Sequence, residues 1–267
     1  MLGKLLKHDF IGMGKVVLPS NALLVLMTII AMIIIRTRVL ATQGLEALTV
    51  TLVFFFVLSI IAVCVTTYLF PVIYYYRAMF SNQGYLTFTL PASTWMIFIS
   101  KVVAAFSLYV INLLVLTGIF FALFPYDADT MMLSQVDLAL RGTFDMSLAG
   151  FTTWTILILL ISLLFNAIMY FASINIGQLM AKHKIIGSVL SYLGLTTIIQ
   201  ILATIIIVIV GFAASNRNID VFNYDTTSMT VTVLHTFFNI FTGFLVIIGG
   251  VLFLISGLIL KKKVNLD

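Results

Sequence analysis

Long uncharged runs alternate with short charged segments along the chain. Six runs lack Asp, Glu, Lys and Arg and are 20 to 36 residues long, and about 20 apolar residues suffice to cross a bilayer as a helix. These runs are Val16–Ile35, Ala47–Tyr76, Val102–Tyr126, Met146–Ala181, Ile185–Asn216 and Thr226–Leu260. They predict an all-α membrane protein, a single transmembrane domain over residues 1–267 with spans at about residues 18–36, 48–76, 95–124, 150–180, 185–213 and 232–260.

A seventh uncharged run, Ala78–Ser100, has a different character. Its first half carries Ser81, Asn82, Gln83 and Gly84, and Pro91 follows, so that no continuous apolar core is present. A backbone interrupted by Gly and Pro is costly in lipid unless protein or water satisfies its polar groups. We therefore predict that this run is a connection on the cytoplasmic side, which leads into the third span at about Trp95.

The first 15 residues show the spacing of an amphipathic helix. Apolar residues recur every three or four positions, at Leu2, Leu6, Phe10, Met13 and Val17, and most of the basic residues lie off that stripe. The pattern predicts an interfacial helix over residues 1–15, with its lysines toward anionic lipid headgroups. The alternative is an unstructured basic leader. Pro19 suits a bend into the first span.

Composition excludes whole classes of protein. Of the 267 residues, 62% are hydrophobic and 9% are charged, whereas a soluble domain has roughly 25% charged residues. The mean hydropathy is +1.22. So few charges cannot cover a surface in water, which excludes a soluble enzyme and also a nucleic-acid binder, despite the net charge of +5.

The positions of the charges predict the topology. With six spans, ten Lys and Arg residues lie on the side of the two termini and four lie on the other side. Positive residues concentrate on the cytoplasmic side of membrane proteins, so both termini are expected to be cytoplasmic, in a multi-pass protein of the plasma membrane. Seven of the nine acidic residues fall on the outer side.

Several kinds of chemistry lack a sequence signal. No predicted span contains Asp or Glu, which argues against a proton relay. Zinc-protease, nucleophile-elbow and Cys-x-x-Cys motifs are missing, and Gly12-Met13-Gly14-Lys15 lacks the spacing of a phosphate-binding loop. We therefore expect no catalytic residue, metal or cofactor on this chain, and any energy for transport has to come from another chain.

The connection after the second span carries a recognisable motif. The run from Tyr76 to Ser93 reads YRAMFSNQGYLTFTLPAS, and Lys101 follows it. This run resembles the first cytoplasmic loop of the permeases of type-2 ATP-binding-cassette (ABC) exporters. In that family a Tyr-Leu-Thr to Thr-Leu-Pro stretch before the third helix belongs to a short coupling helix, which docks on the ATPase subunit.

The resemblance implies partners and contact residues. It implies separate ABC ATPase subunits that hold ATP and Mg²⁺, and a second copy of the permease or a related permease. The residues expected to contact the ATPase are Phe80, Ser81, Asn82, Gln83, Gly84, Tyr85, Leu86, Thr87, Phe88, Leu90 and Pro91. The expected activity is export of a lipophilic or amphipathic peptide, lipid or drug. The alternatives are a non-transport membrane assembly or immunity protein and, after these, a membrane enzyme.

Two sets of residues within the spans have two interpretations each. Uncharged amides either line a substrate path or join helices, and these are Asn112, Asn166, Asn175, Gln178 and Gln200. Small residues four apart, such as Ser173 and Gly177 or Gly187 and Ser191, allow helices to approach closely. They serve either internal packing, which the general use of the motif favours, or a dimer seam.

Overall fold

The computed structural model describes residues 1–37, 46–81, 84, 92–123, 130–144, 146–180, 183–215 and 227–262, and these contain helices and no strand. The helices are α1 (Leu2–Thr37), α2 (Glu46–Phe80), α3 (Thr94–Leu123), α4 (Thr130–Phe144), α5 (Leu148–Gly177), α6 (Lys184–Ser215) and α7 (Thr227–Lys262). Six of these, all except α4, are long and apolar enough to cross a membrane. The prediction of an all-helical, multi-pass membrane protein is confirmed at this level.

Five of the long helices begin and end within about five residues of the ends of the predicted spans. These are α2, α3, α5, α6 and α7. Serine caps mark two of their starts. Ser93 accepts a hydrogen bond from the Met96 N–H at 3.3 Å before α3, and Ser147 accepts one from the Gly150 N–H at 3.2 Å before α5. Such caps satisfy backbone donors that a helix start leaves unpaired.

Helix α1 extends further toward the N-terminus than the first predicted span. It is continuous from Leu2 to Thr37 and includes Pro19, so residues 1–15 and the first span belong to one helix. The prediction that residues 1–15 lie at the membrane surface stays a prediction. The consequence for packing is that the buried stripe of residues 1–15 continues directly into the first span.

Helix α4 occupies the segment that the charge pattern assigned to an outer loop. Its 15 residues include Val136 and Leu140 four positions apart, and an ion pair between Asp137 and Arg141 at 2.8 Å over the same spacing. Residues four apart are neighbours on a helix, so these pairs are a helical signal that the acidic composition of the segment concealed.

Helix α4 is joined to α5 through Asp137. The Asp137 carboxylate accepts hydrogen bonds from the Leu148 N–H at 2.7 Å and from Arg141 at 2.8 Å. The Leu148 bond, followed by the Arg141 bond, lowers the pKa of Asp137 below its ordinary value. A lowered carboxyl pKa means that this contact stabilises the fold above the ordinary pKa range and weakens as the pH falls through the lowered pKa.

The described helices form two compact units, α1–α3 and α4–α7. In the first unit α1 contacts both α2 and α3. Asp9 pairs with Lys101 and Asn21 with Asn112, so α1 and α3 run parallel, while α2 runs antiparallel to both. Closer to the C-terminal end of α1, an apolar core joins the three helices through the buried residues Leu24, Val63 and Ile119. The partly buried residues around this core are Phe56, Ile60, Val115, Leu116 and Leu123.

In the second unit α5 contacts both α6 and α7. Helices α5 and α7 run parallel, because Trp154 donates a hydrogen bond to Asn239 at 2.9 Å and Phe165 lies against Gly249 further along both helices. Helix α6 returns antiparallel to α5, with Tyr192 stacked on Tyr170 at 5.5 Å between ring centroids. Both units therefore place their first long helix between an antiparallel neighbour and a parallel one.

Candidate functional site

A buried charged cluster joins the three helices of the first unit. Asp9 on α1 is 4% exposed and Lys101 on α3 is 3% exposed. The Lys101 Nζ donates to Asp9 Oδ1 at 2.9 Å, and the Ser100 hydroxyl donates to Asp9 Oδ2 at 2.5 Å. From α2, the Tyr74 hydroxyl donates to Asp9 Oδ1 at 3.3 Å. We call these four residues the Asp9 cluster.

Each member of the Asp9 cluster has more than one partner. Lys101 Nζ lies 5.3 Å from the centroid of the Tyr74 ring, a cation–π distance. Ser100 also contacts the Ile97 carbonyl at 3.0 Å. Isolated buried charges are very costly, and burial is tolerated when the charges are paired and their remaining polar atoms are satisfied. The arrangement meets this condition at Asp9, which accepts three hydrogen bonds.

The Asp9 cluster lies at one level of the helix bundle. Tyr74 is six residues before the end of α2, Ser100 is six residues after the start of α3, and Asp9 is seven residues after the start of α1. At 1.5 Å per residue these separations are about 9 to 10.5 Å. The cluster thus connects α1 to both helices that flank the run from Ser81 to Ser93, on the side that the charge pattern predicts to be cytoplasmic.

Gly12 creates the space for Tyr74. A Cβ atom added at Gly12 would lie 2.6 Å from the Tyr74 hydroxyl oxygen and 2.8 Å from Cζ of its ring. Real Cβ contacts are essentially never this short, so only glycine lets the Tyr74 ring lie against the backbone of α1 beside Asp9. Gly12, which belongs to a Gly-x-Gly run whose spacing does not fit a phosphate-binding loop, therefore has a packing role.

We expect Gly12→Ala to displace Tyr74 from Asp9 and to destabilise the chain by about 1–3 kcal/mol, the usual cost of overpacking. Gly14→Ala is the matched control on the same helix, because its Cβ would meet the end of the flexible Leu18 side chain at 3.1 Å and a Leu108 methyl at the ordinary contact distance of 4.0 Å. Both changes gain up to about 1 kcal/mol of helix propensity. Thermal unfolding in detergent measures the difference, and equal midpoints for the two variants would contradict this role of Gly12.

A second polar layer lies twelve residues further along α1. Asn112 on α3 donates to Asn21 Oδ1 at 2.9 Å, and Asn21 Nδ2 contacts the Val17 carbonyl at 2.8 Å and Thr67 Oγ1 on α2 at 3.5 Å. All three side chains are buried. Asn112 therefore joins helices, which is the second of the two roles open to the buried amides.

The other candidate path residues lie in the second unit. Asn166 is half-buried and donates to the Ser162 carbonyl of its own helix at 2.8 Å, and Asn175 is fully buried on the last turn of α5. Gln178 follows directly after α5 and is half-buried, and Gln200 is exposed on α6. The structure brings Asn175 and Gln178 together, one turn apart. A substrate path through Asn166, Asn175, Gln178 and Gln200 stays a prediction.

Only part of the predicted coupling segment is described. Phe80 ends α2 with its ring centroid 6.3 Å from those of Tyr75 and Tyr76. After α2, the Gly84 N–H donates a hydrogen bond to the Ser81 carbonyl at 2.7 Å. The remaining candidate residues lie outside the described residues; they are Asn82, Gln83, Tyr85, Leu86, Thr87, Phe88, Leu90 and Pro91.

The small residues at the end of α5 serve packing within the chain. A Cβ atom at Gly177 would collide with the backbone of Ser188 and lie 2.6 Å from the Gly187 carbonyl carbon, and a Cβ atom at Gly187 would lie 2.6 Å from the Gly177 oxygen. The backbones of α5 and α6 are therefore in direct contact at these two glycines. By contrast, Cβ atoms at Gly194 and Gly250 would meet no atom within 4 Å.

Sequence reasoning missed Asp9 and its partners Tyr74 and Ser100. Asp9 directly follows Lys7 and His8, and Lys15 comes later in the same segment. This composition is typical of a basic surface helix. One signal was present: Asp9 lies four residues before Met13, which begins the buried series Met13, Val17, Asn21, Leu24 and Thr28. Positions three and four apart share one face of a helix, which places Asp9 on the buried face.

Comparisons with protein-family models, with curated proteins and with solved structures found no match. The resemblance of residues 76–93 to the exporter permeases therefore stands on the residues themselves.

Proposed function

We propose that this chain is the membrane-spanning subunit of an ATP-driven exporter of the type-2 ABC class and works with separate ATPase subunits. Two features support the proposal: the motif between the second and third spans, and six helices that are long and apolar enough to cross a membrane. In this proposal both termini are cytoplasmic in the plasma membrane, and the permease pairs with a second copy or a related permease.

The observation that carries the proposal is the position of the Asp9 cluster. A permease that relies on another chain for energy needs a segment that receives movement and a rigid connection from that segment into its helices. The run from Ser81 to Ser93 is flanked by α2 and α3, and Asp9 bonds both of these helices to α1. We call the run from Ser81 to Ser93 the docking segment. The two helices that flank it are thus linked to α1 through polar contacts, which constrain the relative orientation of the helices as well as their separation.

The proposed transport cycle places each task on a defined part of the chain. ATP binding and hydrolysis occur on the partner, which contacts the segment through Phe80, Tyr85, Leu86 and Phe88. The segment moves the ends of α2 and α3, and α1 follows through the Asp9 cluster. The outer ends of the same three helices are joined by apolar contacts such as Leu24 with Val63, which are not directional and permit sliding. The cargo is lipophilic or amphipathic, such as a peptide, lipid or drug.

The double substitution Leu86→Asp and Phe88→Asp tests the docking segment. We expect it to reduce the amount of ATPase subunit recovered with the tagged chain at least tenfold, because two charges would replace apolar groups at the contact. The measurement is the ratio of ATPase subunit to permease after purification from the native membrane in mild detergent.

Leu86→Met with Phe88→Leu is the matched control, since it keeps both positions apolar and is expected to retain the wild-type ratio. If the two aspartates leave co-purification and ATP hydrolysis intact, the segment is not the docking site. If a partner is retained but hydrolyses no ATP, a non-transport membrane assembly or immunity protein becomes the better explanation.

A further inference from the structure

The Asp9 cluster has a property that its role in packing does not require. Among the described residues, Asp9 and Lys101 are the charged residues that are buried. Removing two charges from water is expensive, and well-packed apolar residues of similar volume often stabilise a fold as much as a buried ion pair or more. Stability alone therefore does not explain why a carboxylate and an ammonium group occupy these positions.

Directional bonding is what the charged pair adds. Apolar contacts allow neighbouring helices to shift along each other at little cost, because the hydrophobic effect is not directional. Asp9 instead accepts hydrogen bonds from Lys101 and Tyr74 at Oδ1 and from Ser100 at Oδ2. A shift of α1 by one helical turn, about 5.4 Å, would break these bonds and leave both charges buried without partners.

The second polar layer on this face of α1 acts in a similar way. Asn21 repeats the arrangement with Asn112 on α3 and Thr67 on α2, but through uncharged groups. Hydrogen bonds between uncharged side chains of membrane helices contribute little to stability on average. The charged layer nearest the α2–α3 connection is thus the stronger constraint on the register of α1.

We propose that Asp9 is a positioning residue that fixes the register of α1 against α2 and α3, so that α1 moves as one body with both ends of the α2–α3 connection. The consequence for transport rests on the proposed function, whereas the fixed register is a property of this chain alone. Lys101 supplies the opposite charge, and Ser100 and Tyr74 orient the carboxylate.

The register is tested in the full chain in lipid nanodiscs with two spin labels. Cys64 is replaced by serine, and cysteines are introduced at Ile11 on α1 and Met96 on α3, which are 48% and 43% exposed. Pulsed electron resonance measures the distribution of distances between the labels. We expect one narrow distribution for the parent and at least a twofold broader one for Asp9→Asn and for Lys101→Met.

Two controls separate positioning from a general loss of structure. Lys15→Met removes an exposed charge from the same helix and is expected to leave the distribution unchanged. The exchange Asp9→Lys with Lys101→Asp restores an ion pair of opposite orientation, and we expect it to recover a narrow distribution. If Asp9→Asn is not recovered from the membrane, the exchange variant carries the test, and a broad distribution in it would overturn the proposal.

A second arm measures the consequence for the partner in complexes purified from the native membrane. Asp9→Asn is expected to leave labelling of the partner by 8-azido-ATP unchanged and to lower its ATP hydrolysis at least fivefold, with recovery in the exchange variant. An unchanged distance distribution overturns the fixed register, and unchanged hydrolysis overturns its role in transmission. If the wild-type chain retains no ATP-binding partner, the proposed function fails, and the distances still decide the register.

Discussion

Lys101→Met is expected to destabilise the chain by about 3–5 kcal/mol, because it leaves the Asp9 carboxylate buried without its opposite charge. The Lys101 and Asp9 side chains are 4% and 6% exposed, and their charged atoms are 2.9 Å apart. Asp9→Asn with Lys101→Met removes both charges and is expected to recover most of the loss. Unfolding of the purified chain by SDS in mixed micelles measures the free energy of each variant.

Arg141→Gln is the matched control for this prediction. Arg141 also forms an ion pair at 2.8 Å, with Asp137, but its side chain is 62% exposed. Exposed pairs contribute about 1 kcal/mol or less, so this variant is expected to stay within that margin of the wild type. If Lys101→Met were no more destabilising than Arg141→Gln, Lys101 and Asp9 would not form a buried pair in the folded chain.

Gly177→Ala is expected to destabilise the second unit by about 3 kcal/mol, at the upper end of the usual cost of overpacking. The new methyl group would meet the backbone of α6 at Gly187 and Ser188, and a backbone cannot rotate away as a side chain can. The turn between α5 and α6 would have to open. Unfolding by SDS in mixed micelles measures the loss of stability. A second measurement is the rate at which a thiol reagent labels a Ser188→Cys variant, compared between glycine and alanine at position 177.

Gly194→Ala provides the control on α6. A Cβ atom there would meet nothing within 4 Å, so this change is expected to be neutral or to stabilise the helix by up to about 1 kcal/mol. Equal stability of the two alanine variants would contradict the close contact of α5 with α6. A dimer that dissociates in Gly177→Ala without a change in monomer stability would instead favour the dimer seam.

The long helices were predictable because their apolar runs are long and uninterrupted by charge. Helix α6 is the clearest case: its apolar side chains are exposed along its length, as expected of a helix whose solvent is lipid. Helix α4 was not predictable from the same property. It is short and carries charges, and its stability depends on contacts with α5 and α7 that a sequence pattern does not reveal.

The Asp9 cluster was only half visible in the sequence. The sequence shows Lys101 as the charged residue that follows the motif. Its partner Asp9 is 92 positions away, and the sequence cannot predict this pair because it depends on the packing of α1 against α3. A carboxylate next to basic residues is typical of a solvated surface group, and only the packing of α1 against α2 and α3 shows that Asp9 is buried. The argument against a proton relay depends on the absence of carboxylates from the predicted spans. Asp9 lies in α1, which continues into the first span, so that argument does not extend to Asp9.

The most direct test of the central claim is whether the wild-type chain carries an ATP-hydrolysing partner. The tagged chain is purified from its native membrane in mild detergent, labelled with 8-azido-ATP and assayed for hydrolysis. We expect a second polypeptide to take up the label, in a one-to-one ratio with this chain, and the purified complex to hydrolyse ATP. A chain that purifies intact and folded, with no labelled partner and no ATP hydrolysis, would contradict the claim.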